Sequence, residues 1–541
     1  MPVRPKCSLG LDFGTESVRA LLVDLTGMEV ASAVVKYPHG QIIATLPGST
    51  KRLPVDYALQ HPSDWMGSAS QAVRKALKQA GTGAESVVGI GVDFTSCTML
   101  PARSDGTPLC LVGKFANQPL AWPKLWKHHG AKLQTDRINQ VARQRNESFL
   151  DRYGGTIGLE WFFPKVLETL EMAPAVYEAT EVWLEAGDWF VWQLVGGPAD
   201  ELPRSTCQAG YKAMWSAEEG YPSADFFAAV HPGLKQVVRD KVPGRHISPG
   251  ETAGGLTPEA AKQLGLRSGT PVSAAIIDAH AGVPGAGAAD PGTLVMVMGT
   301  SSCHMLNSTE NHLVPGVAGI VAGGILPGYY GYETGQAAVG DAFDWLRRLV
   351  GLKNFDQLTA DATKLPPGAD GVRCVDWLNG CRTPLMNGHL RGAFSGLALH
   401  HTPAHLYRAL LEASAYGVKW IVELLRVGGV PVEKLIATGG LPHHNQLLVQ
   451  IYADVMELPI TIHPCKHGPA LGAAILGALA AGPEATKFSS PTAAIRAMAA
   501  PKPNQSARKA QIIRPQARSR DAYRKAYQDY RQLAEHFARS T

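Results

Sequence analysis

No Cys-x-x-Cys pair occurs in this 541-residue chain, and its 8 cysteines (Cys7, Cys97, Cys110, Cys207, Cys303, Cys374, Cys381 and Cys465) are scattered along it. Such spacing argues against a zinc site and a disulfide framework, and fits reduced thiols in a cytoplasmic protein. Apolar runs long enough to cross a membrane are also missing. The most apolar stretch, 469–481, is short, rich in Ala and Gly, and reads as a buried helix. Met1-Pro2-Val3-Arg4-Pro5-Lys6 leads straight toward Asp12 without the apolar core of a signal peptide. Charge of one sign is scarce: the net is +5, with no basic run interleaved with aromatics, so neither nucleic acid nor a membrane is expected as partner. Several catalytic signatures are absent as well. There is no G-x-x-x-x-G-K-[ST], no complete G-x-G-x-x-G after a strand, no H-E-x-x-H and no G-x-S-x-G, which sets aside P-loop, dinucleotide, zincin and serine-hydrolase chemistry.

What is present is a pair of Gly-Thr turns. The run Ser8–Asp24 reads as two short apolar strands joined at Gly14-Thr15. A Gly at 14 lets the backbone turn tightly, so that successive N–H groups point at one oxyanion, with the hydroxyls of Thr15 and Ser17 as further donors. Asp12, at the end of the first strand, faces the same space. A carboxylate beside a polyphosphate calls for a divalent cation between them, so Mg-nucleotide is the natural ligand and Asp12 the metal-facing residue. Read alone, the stretch is equally an edge hairpin with Gly in its turn. A second copy shifts that balance. Residues 292–302 read as another buried strand ending in Gly299-Thr300-Ser301, and each copy has a companion strand ending in Asp, at Asp93 and at Asp278. The chain reads as loosely duplicated, two halves gripping the phosphates of a nucleotide across a shared cleft.

At 541 residues the chain exceeds one core and suits two large lobes. Strand, helix, strand is the rhythm of the first half: a strand from Val30, a helix from about His61 to Ala80 capped by Ser63 or Asp64, and a strand to Asp93. A helix start is expected at Leu125–His129, with His128 and His129 on different faces and solvated. The aromatic cluster Leu159–Leu167 is expected in the core. Trp183–Leu194 reads as helix, 198–206 as loop, and Lys212 as partly buried against partners. The Gly- and Ala-rich stretch 285–292 marks a hinge and divides the chain into 1–288 and 289–541. Beyond it, 328–336 reads as a glycine-flanked loop offering Glu333, Ala404–Val427 as a long helix, and Leu435–Thr438 as a strand ending in Gly439-Gly440. That turn and the helix start at Gly468 are placed to wall an adenine pocket. Pro483–Arg518 reads as loose, and Arg520–Arg539 as an amphipathic helix docked on a lobe.

The run Asp12–Arg19, Gly299-Thr300-Ser301, Asp278 at its strand end and Gly439-Gly440 together resemble the FGGY carbohydrate kinases of the actin-like ATPase superfamily, over nearly the whole chain. Within that family the chain is most similar to the ribulokinases of L-arabinose catabolism. Val92-Asp93 with Ser96, Leu125-Trp126-Lys127, Glu160-Trp161-Phe162, Ala209–Lys212, Asp278-Ala279-His280, Glu333–Gln336 and Asp376–Gly380 carry that likeness. The resemblance implies an α/β, two-lobed actin-like (ribonuclease H-like) fold with duplicated domains around a central cleft, the N-terminal lobe holding sugar and phosphate and the C-terminal lobe the nucleotide. It implies transfer of the γ-phosphoryl group of ATP, with Mg2+, to the C5 hydroxyl of L-ribulose. D-ribulose and ribitol are the alternative acceptors, and a non-catalytic actin-like ATPase is the competing class. It gives Asp278 the role of base and puts Ser96, Lys212, Asp278 and Glu333 on the sugar. It puts Asp12, Gly14, Thr15, Ser17, Gly299, Thr300, Ser301, Gly439, Gly440 and Asn445 on the nucleotide. Lys212 and Glu333 also read as an interlobe salt bridge. Ser96 stands where ribulokinases tend to carry Ala or Gly, so its hydroxyl adds a hydrogen-bonding group. The partners implied are the sugar and ATP, with a homodimer allowed.

Overall fold

In the computed structural model, which describes residues 5–499 and 510–539, the opening apolar runs pair as an antiparallel meander. Its strands are β1 (Cys7–Phe13), β2 (Ser17–Asp24) and β3 (Glu29–Lys36). The helix α1 (Pro62–Ala80) then carries the chain over to β4 (Val87–Phe94), which lies parallel to β1. The short strands Pro271–Ser273 and Ile276–Ile277 also pair parallel with β4. Most of β1 and β4 is buried, as expected for parallel strands covered on both faces.

The second sheet repeats this plan. Thr293–Met298, Ser302–Ser308 and Tyr330–Gln336 form an antiparallel meander, Lys434–Thr438 lies parallel to the first of them, and Ile460–Ile462 follows in parallel. The duplication read from two Gly-Thr turns is therefore a duplication of sheet topology.

The halves meet where backbone approaches backbone. The helix Gly468–Ala480, from the second half, lies across β1 and β4 and against the helix Asp278–Gly285. A Cβ added at Gly472 would sit 1.8 Å from the carbonyl oxygen of Ala281, one at Gly91 1.8 Å from that of Ala473, and one at Gly10 2.0 Å from that of Ala470. These obstructions are main-chain atoms, so no side chain can swing away. Gly472→Val is expected to cost more than about 3 kcal/mol, as overpacking that displaces backbone does, and to leave little folded protein. Soluble yield and a melting curve check it, and a melting temperature near wild type would contradict it.

Several local expectations are corrected by tertiary context. Leu125–His129 forms no regular helix, and His128 is buried rather than solvated, with Nε2 2.8 Å from the Glu168 carboxylate. His129 is exposed. The run from Trp183 is split: Val182–Glu185 is a strand paired with Met99–Ala102, and the helix begins at Ala186. Within 198–206, Pro203–Ser205 forms a strand and Ser205 caps the helix Thr206–Lys212. The expected loop at 328–336 is mostly strand, so Glu333 projects from a sheet. The cap of α1 is His61, which accepts from the Ser63 N–H. Of the stretch expected loose, Pro491–Ala499 is a helix and Gln511–Ile513 an edge strand, while 500–509 lies outside the described residues. Trp161, Phe162 and Phe163 do lie in the core, and Arg520–Arg539 docks through Tyr523, Tyr527 and Tyr530.

Candidate active site

Three carboxylates converge because of strand register. Asp12 pairs with Asp93 across the parallel β1–β4 ladder, and Ile277 pairs with Phe94, so Asp278 emerges at the end of the third strand in line. Adjacent strands lie about 4.8 Å apart, which crowds the three groups at the carboxyl end of the sheet. Asp93 is fully buried and neither of its carboxylate oxygens has a hydrogen-bond partner. Burial foremost, then the charges of Asp12 and Asp278, push its pKa well above the ordinary carboxylate range. Burial also raises Asp12, while the charge of Arg19, whose Nε lies 3.8 Å from it, pulls the other way. Asp278 is raised to about 7, first by burial and further by Asp12, while the Ala279 N–H and Lys212 pull the other way. The orphaned oxygens of Asp93 and the carboxylate of Asp12 beside it across the ladder are hard donors of the kind that fit a divalent cation.

The two Gly-Thr turns have the same backbone bond: Gly14 N–H donates to the Ser17 carbonyl at 3.0 Å, and Gly299 N–H to that of Ser301 at 2.9 Å. Neither glycine has a left-handed φ, and a Cβ at either would meet only that carbonyl, at 3.5 and 3.7 Å. The tight turn therefore does not demand glycine; its absent side chain leaves open space above the backbone. Thr300 and Ser301 are exposed there and Thr15 and Ser17 half-buried. Trp126 donates its indole N–H to Thr15 Oγ1 at 3.2 Å, and Gln60 Nε2 donates to the Thr15 carbonyl at 2.8 Å. Gly439 does need to be glycine: its φ is 94°, and a Cβ would lie 2.4 Å from the Met298 carbonyl oxygen. Gly440 faces open space beside it. Asn445 caps the next helix by accepting from Leu448 N–H and donates to the Tyr407 hydroxyl, so its polar atoms are engaged within the second half.

Glu333 is the hub of the cleft. Both of its oxygens lie 3.1 Å from Lys212 Nζ, Oε2 lies 3.2 Å from His280 Nε2, and Arg382 pairs with Oε1. Burial alone would raise its pKa, but Lys212, Arg382 and His280 overcome that and hold it well below the usual range. Lys212 is raised in turn: burial, the largest single effect, opposes its charge, and Glu333 with smaller contributions from Cys97 and Glu160 together outweighs it. Its ammonium also lies 5.7 Å from the centre of the Trp161 ring. A cavity of about 490 Å³ opens beside this cluster, lined by Glu160, Trp161, Lys212 and Arg382 among others. Ser96 is half-buried, with Oγ 3.5 Å from Cys97 Sγ.

Sequence reasoning named Asp93 only as a strand end, and assigned nothing to His280 or Arg382. The Asp12–Asp93 register was the usable signal for the first. The other two depend on how a helix start and a loop meet Glu333, which no local pattern encodes. Asp376 serves the fold, accepting from Tyr530 of the terminal helix and from Gln336.

The family model for the FGGY family of carbohydrate kinases, N-terminal domain, matches residues 7–285, and that for the C-terminal domain matches 294–481. The chain is similar to a ribulokinase of Bacillus licheniformis, 46% identical over 479 residues and covering 86% of each chain. It is also similar to one of Geobacillus thermodenitrificans, 42% identical over 546 residues, covering 99% of this chain and 95% of that one. Among solved structures, a xylulose kinase from Rhodospirillum rubrum superposes with a TM-score of 0.79 at 25% identity, covering 98% and 99% of the two chains.

Proposed function

Because the chain belongs to the FGGY family of carbohydrate kinases, we propose that it transfers the γ-phosphoryl group of ATP to the C5 hydroxyl of L-ribulose, giving L-ribulose 5-phosphate. The observation that carries the choice of sugar is the near-full-length likeness to ribulokinases, and the buried Lys212–Glu333 pair at 3.1 Å supports it. We take 1–288 and 289–541 as the two lobes, closing about 285–292. All eight cysteines are free and no helix among the described residues is long and apolar enough to cross a membrane, which supports a cytoplasmic reading.

In this mechanism the acceptor hydroxyl lies against Asp278. One oxygen of Asp278 accepts the Ala279 N–H at 2.7 Å, which orients the carboxylate and leaves the other oxygen to take the hydroxyl proton. A base with pKa about 7 is well matched to that transfer near neutral pH. Lys212 and Glu333 read the remaining hydroxyls, and a sugar lacking one leaves a buried charge unpaired. Ser96 faces the same sugar. The N–H groups and hydroxyls of the Thr15 and Thr300 turns hold the phosphates, positioning being most of what a protein contributes to phosphoryl transfer. Asp12 and Asp93 are the residues that would hold Mg2+, which neutralises phosphate charge when bound. Closure of the lobes keeps water from competing with the sugar.

The choice of acceptor is tested by kcat/KM for L-ribulose, D-ribulose and ribitol. L-Ribulose is expected to lead, and a clear preference for either of the others would replace it.

The carboxylate cluster makes a separate prediction. Asp93 is harder to ionise folded than unfolded, so its contribution to stability declines as pH rises from the ordinary carboxylate range toward its raised folded value. Metal-free Asp93→Asn is therefore expected to melt above wild type at neutral pH, with the difference shrinking below about pH 4. Adding Mg2+ is expected to raise the wild-type melting temperature and leave that of Asp93→Asn nearly unmoved. A wild type indifferent to Mg2+ would contradict the cation assignment.

A further inference from the structure

Lys165 is fully buried on the helix Phe162–Met172, where burial lowers its pKa, and a lysine in that position is rare without a specific task. Its ammonium is spent on two backbone carbonyls, donating to Cys97 O at 2.6 Å and to Leu125 O at 2.8 Å. Each acceptor adjoins along the chain a residue at or against a proposed subsite. Cys97 follows Ser96 and has φ 54°, a left-handed conformation that a non-glycine residue keeps only when its surroundings hold it there. Leu125 precedes Trp126, whose indole N–H reaches Thr15 Oγ1 in the phosphate-side turn. The two segments are otherwise joined by the bridge between Met99 and Lys124, whose backbones exchange bonds of 2.9 and 3.0 Å. One ammonium thus links the strained sugar-side turn to the segment that braces Thr15.

Resting on the carbohydrate-kinase reading above, we propose that Lys165 is a positioning residue that clamps the Ser96–Cys97 turn to Leu125–Trp126, setting the acceptor hydroxyl in register with the transferred phosphoryl group. It touches neither substrate. Its loss allows the two subsites to drift apart, and a misplacement of about 1 Å costs about 10²-fold in rate.

The test is steady-state kinetics on Lys165→Met, which keeps length and volume while removing the donor, on Trp126→Phe, and on the double variant, with melting curves beside them. Lys165→Met is expected to fold, to lose about 10²-fold in kcat/KM for the sugar, and to release more ADP per sugar phosphate formed than wild type. Trp126→Phe cuts the same strap at its other end, so the double variant is expected to be scarcely worse than Lys165→Met. A folded Lys165→Met with wild-type kinetics and ADP yield overturns the proposal, and so do losses that multiply in the double variant. If Lys165→Met does not fold, Trp126→Phe decides: a raised KM for sugar supports the clamp, and a rise confined to ATP overturns it. A wild type silent toward every sugar strikes the kinase reading itself, whereas an active wild type with unaltered variants strikes only the clamp.

Discussion

Asp278→Asn is expected to abolish phosphorylation of the sugar while leaving ATP affinity close to wild type. The amide keeps the side chain's shape and its oxygen can still accept the Ala279 N–H that the carboxylate accepts at 2.7 Å, so the helix start is preserved. What it cannot do is take a proton from the acceptor hydroxyl. A positioned base contributes about 10²- to 10⁴-fold, and kcat is expected to fall by that range. The fold is not expected to weaken, because the substitution removes one of three crowded carboxylates and relieves Asp12 and Asp93. Retention of more than about a tenth of wild-type kcat, an order above what the loss of a general base allows, would remove Asp278 from the role of base.

Glu333→Ala is expected to act twice. The carboxylate is the common partner of Lys212, His280 and Arg382, so its removal leaves the buried Lys212 ammonium uncompensated and takes an acceptor from the other two. Breaking a buried pair from one side costs about 3 to 5 kcal/mol, which appears as a lowered melting temperature. Lys212 comes from the helix Thr206–Lys212 in the first half and Glu333 from a strand of the second, so part of that loss is the loss of a strut between the halves. The functional loss is separable from it. If Glu333 reads sugar hydroxyls, kcat/KM for the sugar falls at least about tenfold, since a hydrogen bond to a charged group is worth about 1.5 to 3 kcal/mol. ATP hydrolysis without sugar should change far less, because Glu333 belongs to neither phosphate-holding turn. Equal losses with and without sugar would leave Glu333 a strut only.

The features legible in the sequence are those that short-range pattern determines. Apolar runs ending in Gly-Thr announced both hairpins and the duplication that the sheets repeat, but the companion of the second copy was misplaced: the strand before Asp278 joins β4 in the first sheet, and Lys434–Thr438 is the parallel partner in the second. The long helix ending at Val427 and the terminal amphipathic helix follow from helical periodicity alone. Misread stretches are those where distant partners overrule local composition. Tyr330–Gln336, with two glycines, looks like a loop, yet it is held as a strand between Ser302–Ser308 and Gly319–Ala322. His128 looks like surface until Glu168, forty residues on, folds against it. Gly14 looked obligatory for its turn, whereas the close packing falls at Gly10, Gly91 and Gly472, where a helix from one half presses on the sheet and on the helix Asp278–Gly285 of the other. At the candidate site, the charge of Lys212 and Glu333 was visible, but the convergence of Arg382 and His280 on the same carboxylate was not.

The most direct test of the central claim is ATP turnover by the wild-type protein with and without L-ribulose, with ADP and sugar phosphate counted in the same reaction. A carbohydrate kinase of this kind is predicted to turn over ATP slowly alone, to accelerate strongly with L-ribulose, and to form one L-ribulose 5-phosphate for each ADP. ATP hydrolysis that L-ribulose and the other pentuloses and pentitols leave unchanged, with no sugar phosphate formed, would contradict it.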